Sequence, residues 1–145
     1  MKRYLLFYLF FFAVLSVSAQ NYYVGKSADG VEEMFIQSVT SNRSSNSLIV
    51  FDRLKPVEGK LADFRHSAKS QADRSVKTKN FDKLGYYRRK VQFSCSSKKF
   101  RVMECTYYEV GGKEIDAIEF DSKETQWLPI PKGSLEEIEL KKICR

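Results

Sequence analysis

Hydrophobic and polar positions alternate most regularly over residues 86–95. There Tyr87, Val91, Phe93 and Cys95 share one parity, and Arg88, Lys90, Gln92 and Ser94 share the other. A period of two predicts a strand with one face on a core. Arg89 interrupts the apolar parity near its start, where the strand is expected to emerge into solvent. Residues 96–99 form a short connection and 100–110 run back as a second strand. That return carries apolar side chains on both parities, Phe100, Val102 and Tyr108 against Met103, Cys105 and Tyr107, so period alone does not choose its core face. Gly111 and Gly112 turn the chain into a strand over 113–122. In that strand Ile115 and Ala117 have one parity and Ile118 and Phe120 the other, which predicts a bulge.

Upstream the pattern is again strand-like. Asn21, Tyr22, Tyr23 and Val24 begin a first strand, and Asp29-Gly30 marks a turn. Met34, Phe35 and Ile36 form the heart of a second, and the Ser/Asn-rich residues 38–47 read as a loop. Residues 47–51 are a short continuous apolar run, the signature of a strand buried on both faces, ended by Pro56 and Gly59. Residues 60–85 are polar and poor in β-branched side chains. Leu61, Phe64 and Ala68 there favour a long excursion with some helix over a basic loop that tightens only at Phe81 and Leu84. Near the end, Ser134-Leu-Glu-Glu137 is a capping box behind Gly133 and opens a short, imperfectly amphipathic helix with Leu135, Ile138, Leu140 and Ile143. The fold class expected is α+β: an antiparallel sheet of about six strands, a short C-terminal helix packed on it, and a disulfide closing the two.

The first residues change the picture of where the protein works. Lys2 and Arg3 precede an apolar run from Tyr4 to Val14, and Val17-Ser18-Ala19 offers small residues before Gln20. This is a secretory signal peptide over residues 1–19, leaving a single domain over 20–145. The apolar run is shorter than the ~20 residues of a membrane span, so no transmembrane segment is expected after cleavage. Position 20 carries no cysteine for lipid attachment. The expected locations are periplasm, cell surface or medium.

Charge then singles out the middle of the chain. Removing the leader takes the formal net charge from +7 to +5; residues 53–101 carry fifteen Lys and Arg against four Asp and Glu, while residues 20–52 and 102–145 are both net acidic. Such a segment suits a protein surface or an anionic polymer as partner. Arg88, Arg89 and Lys90 are the candidate binding residues, because a strand holds side chains at less entropic cost than a loop. The competing reading is a basic, merely solubilising surface on a structural domain of the cell envelope.

Chemistry is sparse. The chain shows no phosphate-binding glycine loop, nucleophile elbow or paired-histidine motif, so no enzyme, cofactor, metal or small-molecule substrate is expected. His66 is the only histidine; a pair with Cys105 is conceivable, but a buried thiol beside Met103 and Tyr107 is the ordinary reading. Three cysteines in an exported chain predict one disulfide and one thiol. A Cys95–Cys105 bridge is excluded, since a hairpin turning at 96–99 separates them by roughly 16 Å against a limit of ~7 Å between bridged Cα atoms. Cys144 therefore takes Cys95 or Cys105.

Several of these residues together resemble the bacterial surface-adhesin protein E family. The resemblance rests on Cys95 followed by Lys99-Phe100-Arg101, on Tyr107 and Tyr108 before Gly111, on Trp127-Leu-Pro-Ile-Pro-Lys-Gly-Ser134, and on Cys144. It is strongest over residues 86–145. It implies an antiparallel sheet with a packed helix, closed by a bridge between Cys95 and Cys144. Closing that loop would stabilise by about 4 kcal/mol. It also implies binding: the family's named member is a surface lipoprotein that binds host matrix and serum proteins. The chain departs from the family in having Tyr22 and Tyr23 where an early tryptophan is expected, and in the basic insert over 60–85.

Overall fold

The computed structural model of the protein describes residues 21–144. The leader and its cleavage site before Gln20 lie outside the described residues. Six strands follow each other in space in the order they follow in the chain: β1 (Tyr22–Lys26), β2 (Glu32–Asn42), β3 (Ser47–Pro56), β4 (Leu84–Ser94), β5 (Lys99–Glu109) and β6 (Glu114–Glu119). Every pairing is antiparallel, and the sheet curls. A two-residue strand, β7 (Leu128–Pro129), joins the start of β5. Two helices, α1 (Leu61–Gln71) and α2 (Leu135–Ile143), complete the fold. No helix among the described residues is long and apolar enough to cross a membrane.

The register sorts side chains into an inner face on the core and an outer face. Across the inner face run Met34, Leu54, Tyr87 and Tyr107; beside them Val50, Val91 and Val102; then Leu48, Phe93 and Phe100. Tyr87, Val91 and Phe93 are buried on this face, as their shared parity predicts. Bulges explain where the alternation fails. Met103 has no partner in the β4–β5 register, so Phe100 and Val102 before it and Cys105 and Tyr107 after it all turn inward. Ile115 is likewise skipped in the β5–β6 register, which is the bulge expected in that strand.

Two expectations need correction. The Ser/Asn-rich stretch is mostly strand: after a bulge at Gln37, Thr40, Ser41 and Asn42 pair with Ile49, Leu48 and Ser47, leaving a turn only at 43–46. Those residues are polar because this end of β2 is exposed, not because it is a loop. The 47–51 run is not buried on both faces either, since Phe51 points outward and is 39% exposed.

Residues 60–85 contain both features weighed for them. α1 buries Phe64 and Ala68 on a stripe that begins with Leu61, and Phe64 stacks on Tyr87 with ring centres 5.8 Å apart. A 3-10 turn over Thr78–Lys83 then buries Phe81 against Tyr107 at 4.7 Å. A helix this short gains its order from such packing. Arg65 adds a tie by donating through Nε to the Leu84 carbonyl at 2.9 Å. Gly85 makes the return into β4 possible, because a Cβ there would lie 2.5 Å from the Val110 Cα.

At the other end α2 lies against β1. The capping box forms with one change: Ser134 Oγ accepts from Glu137 N–H at 3.2 Å, but Glu137 reaches past the cap to the Gly133 N–H at 2.7 Å. The helix ends at Cys144, bonded to Cys95 across a Cα separation of 5.6 Å. Cys105 is the free thiol and is buried.

Candidate functional site

Three consecutive residues of β4 proposed for binding fall on opposite faces. Arg89 opposes Asp52 on β3 and Cys105 on β5, within the inner face. Its guanidinium grips the fully buried Asp52 through Nε at 3.1 Å and Nη2 at 2.7 Å, and Nη1 reaches Glu136 of α2 at 2.8 Å. The side chain is 11% exposed, so the expected emergence of the strand into solvent at Arg89 is wrong. Carboxylates from two other elements neutralise the charge and keep it inside. These groups also set the local proton affinities. Burial raises Glu136, but Arg89 and its hydrogen bonds overcome that and hold it below the usual range. Glu139, one turn on, is fully buried and neither carboxyl oxygen has a hydrogen-bond partner among the described residues. Burial, and then the Asp52 carboxylate, push it up to about 9, so it holds its proton at neutrality.

Next to this cluster the inner face opens into a cleft of about 360 Å³ bounded by Tyr87, Arg89, Val102, Cys105, Tyr107 and Glu136. Of its polar groups, Arg89 is engaged with Asp52 and Glu136, and Tyr87 with Glu32 at 3.4 Å. Burial pushes the Cys105 thiol up to about 11, so it is protonated at neutral pH and a poor nucleophile. His66 lies on the exposed side of α1. Among the described residues no group of His, Cys, Asp and Glu is gathered as a metal site would need.

The outer face is built differently. Arg53 on β3 stands directly opposite Arg88 on β4. Like charges in that position repel. Aromatic rings separate and hold them. The Arg53 guanidinium lies 5.6 Å from the Phe35 ring centre and 5.7 Å from that of Tyr86; Arg88 lies 5.7 Å from Tyr86 and 5.2 Å from Tyr108. Tyr86 and Tyr108 stack at 4.9 Å. Each such cation–ring contact contributes ~0.5–1 kcal/mol at an exposed site. Neither arginine has a carboxylate within ion-pair distance among the described residues. The lysines beside them do: Lys55 pairs with Glu33 at 3.1 Å and Lys90 with Glu104 at 2.8 Å.

Thus Arg88 and Lys90 share the outer face, and Arg89 is drawn into the core. Arg53, Lys55, Phe35 and Tyr108 join the first two, and sequence reading passed over them. The signal for the first pair was present, since Phe51, Arg53 and Lys55 alternate with Val50, Asp52 and Leu54. The basic stretch also divides in space, because α1 and the 3-10 turn pack on inner-face tyrosines whereas Arg88 and Lys90 face outward.

The family model of surface-adhesin protein E matches residues 23–145, which takes in every strand and both helices except the first residue of β1. The chain belongs to the surface-adhesin protein E family. No curated protein and no solved structure matches it. Membership suggests the role of a surface adhesin, in which the working part is a binding face and the location is exported or at the surface. In this member of the surface-adhesin protein E family Arg53 and Arg88 are outer-face cations without a carboxylate partner among the described residues.

Proposed function

We propose that the chain is an exported, non-enzymatic binding module whose outer sheet face contacts a protein or an anionic polymer. The observation that carries this is the Arg53–Arg88 pair: two like charges held opposite each other on aromatic rings, with no carboxylate partner among the described residues. A negative group from outside would relieve their repulsion. Arg88 and Lys90, with Arg53 and Lys55, form the contact surface. Export rests on the leader and its small residues at 17 and 19. Intact mass of exported protein should correspond to a chain beginning at Gln20.

The competing reading, an envelope domain with no specific ligand, draws on the internal pairing of Lys55 and Lys90. Retention of the exported chain on immobilised heparin and on acidic protein separates the two. Under the binding reading retention falls steeply between roughly 50 and 500 mM salt, as screening shortens, and Arg88→Ala reduces it. Retention indifferent to both salt and Arg88→Ala leaves the face a solvated surface.

A further inference from the structure

We infer that the outer face receives a single compact carboxylate, an aspartate or glutamate side chain flanked by apolar residues on a partner protein, held by the Arg53–Arg88 pair. This rests on the outer face being the binding surface, and it narrows the partner from any anion to an acidic segment of a protein.

The argument is one of charge layout. A long polyanion needs a track of free cations along its path. Among the described residues this face offers no such continuous track. On either side of the two arginines the lysines are already neutralised, Lys55 by Glu33 and Lys90 by Glu104. Beyond Glu104 the register places Glu119 directly opposite it, so an extended polymer crossing β5 and β6 would meet carboxylates. Two unpaired cations meet at one cross-strand position, where the two Cα atoms lie roughly 5 Å apart, whereas Arg101, further along this face and also without a carboxylate, is engaged by Gln92 Oε1 at 2.8 Å and the Ser122 carbonyl at 2.7 Å. Two guanidinium groups at that spacing match one carboxylate.

The surroundings select further. Ring faces of Phe35, Tyr86 and Tyr108 are covered by the guanidinium groups and by each other, so they are not free to stack on flat bases. Their exposed edges, with Tyr23 (46% exposed) tilted against Phe35 at 5.4 Å, offer apolar surface beside the charge. An acidic side chain between apolar neighbours meets both features.

Side-chain N–H resonances of Arg53 and Arg88 in the exported chain report this directly. The probes are two acetylated, amidated pentapeptides of sequence Gly-Leu-Glu-Phe-Gly and Gly-Leu-Gln-Phe-Gly, and a heparin oligosaccharide. Expected are saturable shifts with the Glu peptide and binding at least about tenfold weaker with the Gln peptide. Arg88→Gln abolishes the shifts. Lys55→Gln and Lys90→Gln lower the affinity for the Glu peptide by only a few-fold, far less than Arg88→Gln does, because those lysines are already occupied. Arg53→Lys, which keeps the charge and loses the planar fork, weakens binding. Heparin binding the tighter, with Lys55→Gln and Lys90→Gln both weakening it, overturns the single-carboxylate inference and leaves the outer face a polyanion surface. Resonances of both arginines unmoved by all three probes overturn the binding reading itself.

Discussion

Arg88 and Arg89 are neighbours on one strand and meet opposite fates. Arg89 points inward and is held by Asp52 and Glu136; Arg88 points outward, lies on Tyr86 and Tyr108, and has no carboxylate partner among the described residues. The alternation of a strand puts the same side-chain chemistry in two environments one residue apart. Inside, a charge is kept only if counter-charges come with it, and it then joins elements together, here β3, β4 and α2. Outside, a charge can be left unneutralised, and that makes it available to a partner. The difference separates a structural arginine from one left free for the proposed contact, without reference to their position in the sequence.

The largest test of that contrast is stability. Arg89→Met should cost about 3–5 kcal/mol, because it strands Asp52 in the core without its cation. Arg88→Met should cost within about 1 kcal/mol, the scale of an exposed cation–ring contact. Urea unfolding of the two variants compares them directly, and equal losses would show that the two faces are not energetically distinct. Next comes Cys144→Ser, at about 2–5 kcal/mol. It releases the end of α2, so faster hydrogen exchange in α2 should accompany it, with the amides in the middle of β3 and β4 unchanged. Exchange that rose evenly over the sheet would deny the disulfide this local role.

Proton linkage on the inner face gives a third test, spread over several pH units. Glu139 is raised from the ordinary 4.5 to about 9, so the folded chain binds that proton more tightly than the unfolded chain does. Its contribution is complete below 4.5 and is lost as pH rises towards 9. Glu32, also raised by burial, acts with the same sign. Glu136 is lowered and works the other way, losing its contribution as pH falls below the ordinary range. Stability should therefore decline from mildly acidic pH towards alkaline pH, with a slope from Glu139 of at most about 1.4 kcal/mol per unit. Glu139→Gln should flatten the decline. A variant with the slope unchanged would mean that Glu139 is not the group responsible.

The strand period made much of this visible beforehand. Tyr87, Val91 and Phe93 face inward as read, the bulge near Ile115 is present, and Ser134 caps the last helix. Arg89 was misread because a charge on an apolar parity looks like an exit to solvent when one strand is read alone. The resolution lay on another strand: Asp52 interrupts the apolar parity of Val50 and Leu54 in the same way, with the opposite sign. Two such interruptions identify a buried pair only once the register sets them opposite each other, and register depends on the long excursion through α1 between β3 and β4. The outer face was hidden for the same reason. Phe35, Arg53, Tyr86 and Tyr108 come from four strands, and no local pattern collects them.

The smallest stability effects belong to Arg88→Ala and Lys90→Ala, and they sharpen the contrast most. On parity alone these two outward cations should act alike, with Arg89 apart. The ion pairs divide them further. Lys90 is a third exposed and already bound to Glu104, so removing it also frees a carboxylate beside the site; Arg88 has no such partner. Each substitution should change stability by less than about 1 kcal/mol. Binding of an acidic partner should then fall by roughly tenfold or more for Arg88→Ala and by only a few-fold for Lys90→Ala. Part of the Lys90 loss would come from the unpaired Glu104, so Lys90→Ala with Glu104→Gln should restore most of it, whereas no change at Glu104 should rescue Arg88→Ala. Equal losses for the two single variants, unrelieved by Glu104→Gln, would mean that net positive charge on the outer face matters and the arginine pair does not.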